Sequence, residues 1–121
     1  MRRWIVAVVI ALGLGAAACG GSGGDGTAST EPVDVASLAL SADAAAGLPT
    51  YQAKCQSCHA RDLTGGAGPA LGPGSEAAGK ALEDLRGTIV AGGNGMPSWG
   101  GLLTDAEIDQ VLAFVVAAQG R

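Results

Sequence analysis

Apolar residues near the C-terminus recur at the three- and four-residue spacing of an amphipathic helix. The stripe comprises Ile108, Val111, Leu112 and Val115, with Phe114 at its edge. Thr104 and Glu107 have the spacing of a capping box at the start of this stripe, and Gly120 is placed to end the helix. The pattern therefore predicts a terminal helix between Thr104 and Gly120.

A second helix is predicted to start near Ser41, because Ser-Ala-Asp can cap a helix that runs towards Cys55. Pro49 leaves two geometries open, since it donates no backbone hydrogen bond and crowds the preceding turn. It either lies in the first turn of a shorter helix from about Leu48 or kinks a longer one.

Residues 77–91 return to a helical period, with Leu82, Leu85 and Ile89 on one face and Gly87 as a weak point. The segment 61–75 and the segment 92–97 are rich in glycine and proline, so both are predicted to be irregular loops. No segment alternates apolar and polar residues as a strand would. The predicted fold class is therefore all-α.

The N-terminus has the features of a bacterial export signal. Arg2 and Arg3 precede an apolar run at 4–14, and small residues lead into Cys19. Residues 1–18 are thus predicted to be a signal peptide. The pattern also resembles a lipoprotein signal, in which Cys19 becomes the lipidated N-terminus; the alternative is an ordinary secretory signal with an incidental cysteine.

The segment 19–40 is rich in glycine, serine and threonine, which is typical of a flexible tether. The folded domain is predicted to span 41–121, on the extracytoplasmic side of the membrane. The chain carries a formal net charge of −4, which becomes more negative when Arg2 and Arg3 leave with the signal. Since no basic stripe is present to neutralise phosphates, a nucleic-acid partner is disfavoured.

The most informative motif is Cys55-Gln56-Ser57-Cys58-His59. Two cysteines three positions apart, followed at once by histidine, are the attachment signature of haem c: both thiols form thioethers to the macrocycle and the imidazole binds iron. The domain is too small to be stable on its own side chains, and a large apolar cofactor would complete its core. A thioredoxin-like thiol pair is the alternative, but the adjacent histidine and the absence of a βαβ pattern argue against it.

Histidine occurs once in the chain, so the proximal iron ligand is predicted to be His59. Apart from the initiator, methionine also occurs once, as Met96 in a glycine-rich loop, and it is the candidate sixth ligand. Three alternatives remain: Met96 as a core filler, Lys80 as the ligand, and an open or water-bound site.

The sixth ligand determines the class of function. Iron bound by His59 and Met96 has no vacant site for oxygen or peroxide, which favours outer-sphere electron transfer and indicates a carrier rather than an enzyme. An open site would instead favour a haem enzyme or ligand sensor, such as a small peroxidase.

Four features occur in the order and spacing of one known family. They are Gly47 with Tyr51 and Cys55, the pair Val111 and Phe114, the segment 68–71 (Gly-Pro-Ala-Leu) and the segment 95–97 (Gly-Met-Pro). On these residues, the chain from about Asp43 to Gln119 resembles the small bacterial class I c-type cytochromes.

This resemblance implies a cytochrome c fold of three to four helices wrapped around one covalent haem. In that family the first and last helices cross at the glycine and the aromatic residues, and a proline carbonyl, here that of Pro69, accepts the imidazole N–H. Met96 then matches the axial methionine.

Tyr51, Pro69, Leu71 and Trp99 are expected near the haem, with ordinary packing over the loop as the alternative for Trp99. The family resemblance also implies that the partners are respiratory redox proteins: an oxidase, a reductase or a dehydrogenase.

Overall fold

The computed structural model of the protein describes residues 30–121. The predicted signal peptide and Cys19 lie outside these described residues. The described chain contains four α-helices: α1 (Ala42–Thr50), α2 (Gln56–His59), α3 (Leu82–Ala91) and α4 (Asp105–Ala118). A π-helical turn, Tyr51–Cys55, joins α1 directly to α2.

The first helix begins where its capping residue predicts. The Ser41 hydroxyl oxygen accepts a hydrogen bond from the Ala44 amide at 3.2 Å. Pro49 lies inside α1, so the longer of the two predicted helices is the one that forms. The π-helical turn follows two residues later, and in it the Gln56 amide donates to the Tyr51 carbonyl.

The third helix is shorter than predicted. Residues 77–79 form a separate 3₁₀ turn, and Lys80 and Ala81 are extended, so α3 begins only at Leu82. Leu85 of the predicted apolar face is buried, but Leu82, the first residue of the helix, is 48% exposed. The predicted helix 77–91 is thus correct only from Leu82 to Ala91.

The last helix has the predicted start. The Glu107 amide donates to the Thr104 hydroxyl at 3.3 Å, and the Glu107 carboxylate accepts from the Thr104 amide at 2.8 Å. Phe114, predicted at the edge of the stripe, is instead fully buried and central to the core, whereas Leu112 is only half-buried. Helix α4 packs against α1 on the side that carries Phe114. Its buried face is therefore rotated from the predicted stripe towards this residue.

The core lies where α1 crosses α4. A β-carbon at Gly47 would overlap the Gln110 carbonyl and would lie 2.7 Å from the Val111 nitrogen, so the two backbones touch at this point. Beside the crossing, the rings of Tyr51 and Phe114 pack at a centroid distance of 5.0 Å and an angle of 51°. Gly47 therefore sets the distance between the helices.

The segment 30–40, predicted to belong to the tether, packs against the domain. The Val33 amide donates to the Asp62 carbonyl at 2.9 Å, and methyl groups of Thr30 and Val33 lie over Gly72. Val33, Val35, Leu38 and Leu40 contact the core. Their packing places the start of the domain upstream of the predicted boundary at 41.

Residues 30–121 contain no strand, only an isolated antiparallel bridge between Gly93 and Met96. The predicted all-α class is confirmed for this part of the chain. Among the helices described, none has the length and apolar character needed to cross a membrane.

Candidate functional site

The Cys-X-X-Cys-His motif lies at the C-terminal end of the first helical stretch. Cys55 ends the π-helical turn, and Cys58 and His59 form the last turn of α2. Both thiols are half-buried and are not joined in a disulfide. Burial, followed by the neighbouring Cys58, raises the pKa of the Cys55 thiol to about 11. This direction is opposite to that of a redox-active thiol pair, whose attacking cysteine has a lowered pKa.

The imidazole of His59 is held in one orientation by the following loop. Its Nδ1 lies 2.8 Å from the Pro69 carbonyl oxygen, and the residue is only 6% exposed. Because a carbonyl oxygen can only accept, the proton of the neutral ring is on Nδ1, and Nε2 has the lone pair that can bind a metal. The contact also makes the imidazole a stronger donor to that metal.

The same loop satisfies the carbonyls at the end of α2. The Cys58 carbonyl accepts from the Gly68 amide at 2.8 Å, and the His59 carbonyl accepts from the Gly65 amide at 3.0 Å. Gly68 lies against the His59 ring, and a β-carbon there would come within 2.8 Å of Cε1. The loop therefore contacts both the backbone and the ring of His59.

The residue after His59 reverses the chain in an unusual conformation. Ala60 has φ 65° and ψ 156°, and Leu63, which is wholly buried, has φ 60°. The Tyr51 hydroxyl donates to the Ala60 carbonyl at 2.7 Å and lies 3.5 Å from the His59 carbonyl oxygen. Burial, with smaller contributions from Cys55 and Asp62, raises the pKa of Tyr51, so this hydroxyl remains a donor.

Met96 lies in a tight turn after α3. The Gly93 amide donates to the Met96 carbonyl at 2.9 Å, and the Met96 amide donates to the Gly93 carbonyl at 3.0 Å. The flanking backbone is bonded to α3, since the Trp99 amide donates to the Ile89 carbonyl at 3.1 Å. Met96 and Trp99 are both half-buried. The hydrogen bonds of this loop join it to α3 and not to the motif at 55–59.

The remaining predicted pocket residues occupy distinct positions. Pro69 contacts His59, as expected. Leu71 is half-buried against the core, and its carbonyl accepts from the Gln119 side-chain amide at 3.0 Å. Tyr51, at 1% exposure, has its ring in the helix crossing and its hydroxyl at the end of α2.

Two residues of the site were not predicted. Ala60 has no sequence signal for its conformation, because alanine rarely has positive φ and glycine or asparagine is the usual indicator. Gln119 follows α4 and reaches the loop of Pro69 only because the fold brings the C-terminal end of the chain to Leu71, 48 residues earlier. Patterns among residues that are close together in the chain could not predict this contact of Gln119.

The arrangement fits a covalently bound haem c. Two unpaired thiols flank the last turn of a helix, and the histidine next to the second thiol has its Nδ1 engaged and its Nε2 available. Thioether formation needs the two free thiols, and axial ligation needs the Nε2 lone pair. Cys55, Cys58 and His59 would therefore hold the group.

Comparison with protein families gives a match over residues 42–115 to the family described as cytochrome C oxidase, cbb3-type, subunit III. The matched range starts with α1 and ends inside α4, so it contains the crossing, the Cys-X-X-Cys-His motif and the Met96 turn.

Curated proteins with similar sequences carry cytochrome names. Cytochrome c6 of Picosynechococcus sp. is 36% identical over 87 residues, covering 64% of this chain and 74% of the relative. Cytochrome c6 of Rippkaea orientalis is 39% identical over 82 residues, covering 65% and 74%. Cytochrome c55X of Pseudomonas aeruginosa is 47% identical over 53 residues, covering 42% and 44%.

Proposed function

Because this chain belongs to the class I c-type cytochromes and is an electron carrier with one covalent haem c, we propose that His59 and Met96 are its two axial iron ligands. With both ligands in place the iron site is closed, and the protein is a carrier and not an enzyme. Its partners are redox proteins of the respiratory chain: an oxidase, a reductase or a dehydrogenase. When bound, the haem supplies an iron that cycles between ferric and ferrous states.

The contact between His59 Nδ1 and the Pro69 carbonyl, 2.8 Å long, is the observation that supports this proposal most directly. This contact occupies Nδ1, leaves Nε2 available to bind iron, and fixes the ring before the metal is bound. A histidine held this way suits an iron whose coordination stays the same in both oxidation states, as a carrier requires, because a small structural change on electron transfer keeps the rate high.

Met96 is proposed as the other ligand for three reasons. It is the only methionine left once the initiator is removed with the signal, and a thioether favours ferrous iron. Its turn is closed by two backbone hydrogen bonds, so the side chain is presented from a defined position. It is only half-buried, which does not suit a core filler.

Replacing Met96 by alanine is expected to open the iron to external ligands. The haem-bound wild type should resist cyanide and carbon monoxide, whereas Met96→Ala should bind both and should have a lower reduction potential, because the thioether no longer stabilises ferrous iron. Optical titration and potentiometry measure these effects. The control is Leu102→Ala, which truncates a 69% exposed side chain in the segment after this turn and should behave like the wild type. Ready binding of cyanide by the wild type would overturn the proposed closed site and would favour a ligand-binding enzyme or sensor.

We also propose that Cys19 is lipidated and that the protein works at the extracytoplasmic face of the bacterial membrane. Small residues precede Cys19, and a glycine-rich segment follows it. In cells, Cys19→Ser should move the protein from the membrane fraction to the soluble fraction, and mass spectrometry of the native N-terminal peptide should show an acylated cysteine. An unmodified thiol at this position, or cleavage elsewhere, would refute the anchor without affecting the carrier function.

A further inference from the structure

The turn directly after His59 is strained. Ala60 has φ 65° and ψ 156°, a combination nearly restricted to glycine because a β-carbon is crowded there. Three residues later, Leu63 also has a positive φ, of 60°. Such conformations persist only where the surrounding structure holds them. Something in the fold must therefore hold this turn closed.

Three contacts hold the turn, one of which lies within it: the Leu63 amide donates to the Ala60 carbonyl at 3.3 Å. The Leu63 side chain is wholly buried in the core, which secures the far end. The near end is secured by the Tyr51 hydroxyl, which donates to the Ala60 carbonyl at 2.7 Å. Tyr51 is itself rigid, because its ring is 1% exposed and packs on Phe114 at 5.0 Å. If the turn opens, the Ala60 carbonyl moves away from the fixed Tyr51 hydroxyl, and the hydrogen bond between them breaks.

The turn determines where the rest of the loop goes. From Ala60 the chain doubles back, so that the Gly65 amide reaches the His59 carbonyl at 3.0 Å and the Gly68 amide reaches the Cys58 carbonyl at 2.8 Å. The next residue, Pro69, then has its carbonyl 2.8 Å from His59 Nδ1. If Ala60 relaxed to a negative φ, the chain would leave α2 in another direction and these three contacts would be lost together.

We propose that Tyr51 is a positioning residue for His59: its hydroxyl holds Ala60 in the strained turn that brings the Pro69 carbonyl to the imidazole. The Tyr51 ring packs in the helix crossing, and the Tyr51 hydroxyl positions the iron ligand. This inference rests on the proposed role of His59 as an axial ligand.

The chemical consequence is a shift in reduction potential. A hydrogen bond from Nδ1–H to Pro69 makes the imidazole a stronger donor and so favours ferric iron. Loosening the turn lengthens this bond and favours ferrous iron instead. Removal of the Tyr51 hydroxyl is therefore expected to raise the potential.

The test uses the haem-bound protein and the variant Tyr51→Phe, which removes only the hydroxyl oxygen. Amide hydrogen exchange at Gly65 and Gly68 should become about tenfold faster, the size expected for one hydrogen bond. The reduction potential should rise, and the NMR signal of the His59 Nδ1 proton should move upfield as its bond weakens. The matched control is Thr88→Val, which removes a hydroxyl that donates to a backbone carbonyl in α3 at 2.9 Å and should change none of these readouts.

A second variant isolates the strain. Ala60→Gly should keep the wild-type potential and should slow the exchange of Gly65 and Gly68 by about fivefold or more, because glycine adopts this conformation without the strain that favours opening. In the Ala60→Gly protein the further change Tyr51→Phe should again speed exchange by about tenfold, because the same hydrogen bond is broken on opening in both backgrounds. Ala60→Gly alone is informative even if Tyr51→Phe does not fold: unchanged or faster exchange in this single variant would show that Ala60 is unstrained and would overturn the proposal.

An effect of Tyr51→Phe on exchange below about threefold in both backgrounds would also overturn it, and so would an unchanged potential in Tyr51→Phe. Failure of the proposed ligation looks different. If His59 does not bind iron, the His59 ring protons of the wild type will lack the large shifts caused by paramagnetic ferric iron, whereas the exchange rates of Gly65 and Gly68 will still respond to Tyr51→Phe. The two ideas are thus separable.

Discussion

Replacing Gly47 by alanine is expected to cost about 3 kcal/mol or more of unfolding free energy, a large fraction of the stability of a small domain. The added methyl would overlap the Gln110 carbonyl and lie 2.7 Å from the Val111 nitrogen, both of which are backbone atoms. Neither can rotate away as a side chain can, so α1 and α4 must separate along the crossing. Guanidinium unfolding of the haem-bound proteins, followed by circular dichroism, measures the loss.

Gly87 provides the matched control. It lies inside α3, with open space around the position of its β-carbon. Gly87→Ala should therefore raise the unfolding free energy by about 0.5–1 kcal/mol, the usual gain for this change in a helix. If Gly47→Ala stabilised the protein as Gly87→Ala does, the close approach of the two backbones would be wrong.

The second large effect is expected at Gly92, where alanine should displace the Met96 turn. Gly92 has φ 67° and ψ −154°, and a β-carbon there would lie 2.5 Å from the Met96 carbonyl oxygen and 2.6 Å from the Pro97 carbonyl carbon. The variant combines backbone strain with a clash against the turn itself. With Met96 as the ligand, Gly92→Ala should therefore bind cyanide almost as readily as Met96→Ala and should lose the charge-transfer band of thioether-ligated ferric haem.

Gly95→Ala serves as the control for the same turn. Gly95 also has a positive φ, of 87°, but nothing lies within 4 Å of the position of its β-carbon. We expect a cost of about 1–2 kcal/mol in stability from strain and no binding of cyanide. Retention of the charge-transfer band and of cyanide resistance in Gly92→Ala would mean that this turn does not position the ligand.

The helical elements were predictable to the extent that their signals lie close together in the chain. The capping box at Thr104 and Glu107 forms both of its hydrogen bonds, because its partners are three residues apart. The predicted start of α3 was wrong, because the apolar period at 77–91 gave no sign that Lys80 and Ala81 would be extended. Periodicity indicates which residues can share a face, but it does not say where the helix starts.

The segment predicted to be a flexible tether also differs from its prediction. Its glycine and serine content is typical of a flexible linker, yet Val33, Val35, Leu38 and Leu40 contact the core. Apolar residues at the end of a glycine-rich segment stabilise a fold only if a surface is present to receive them. That surface, next to Asp62 and Gly72, is built by a distant part of the chain.

The sequence by itself determined the chemistry of this protein: two cysteines and a histidine in one pentapeptide indicate haem c, and one histidine and one usable methionine leave few possible ligands for iron. These conclusions depend on residue type and short spacing, which the chain alone defines. Only the tertiary structure decided that Gly47 lets two backbones touch, that Phe114 is central to the core and that the Tyr51 hydroxyl meets Ala60. Each of these contacts depends on the path of the folded backbone, which brings together groups that local pattern and propensity treat separately.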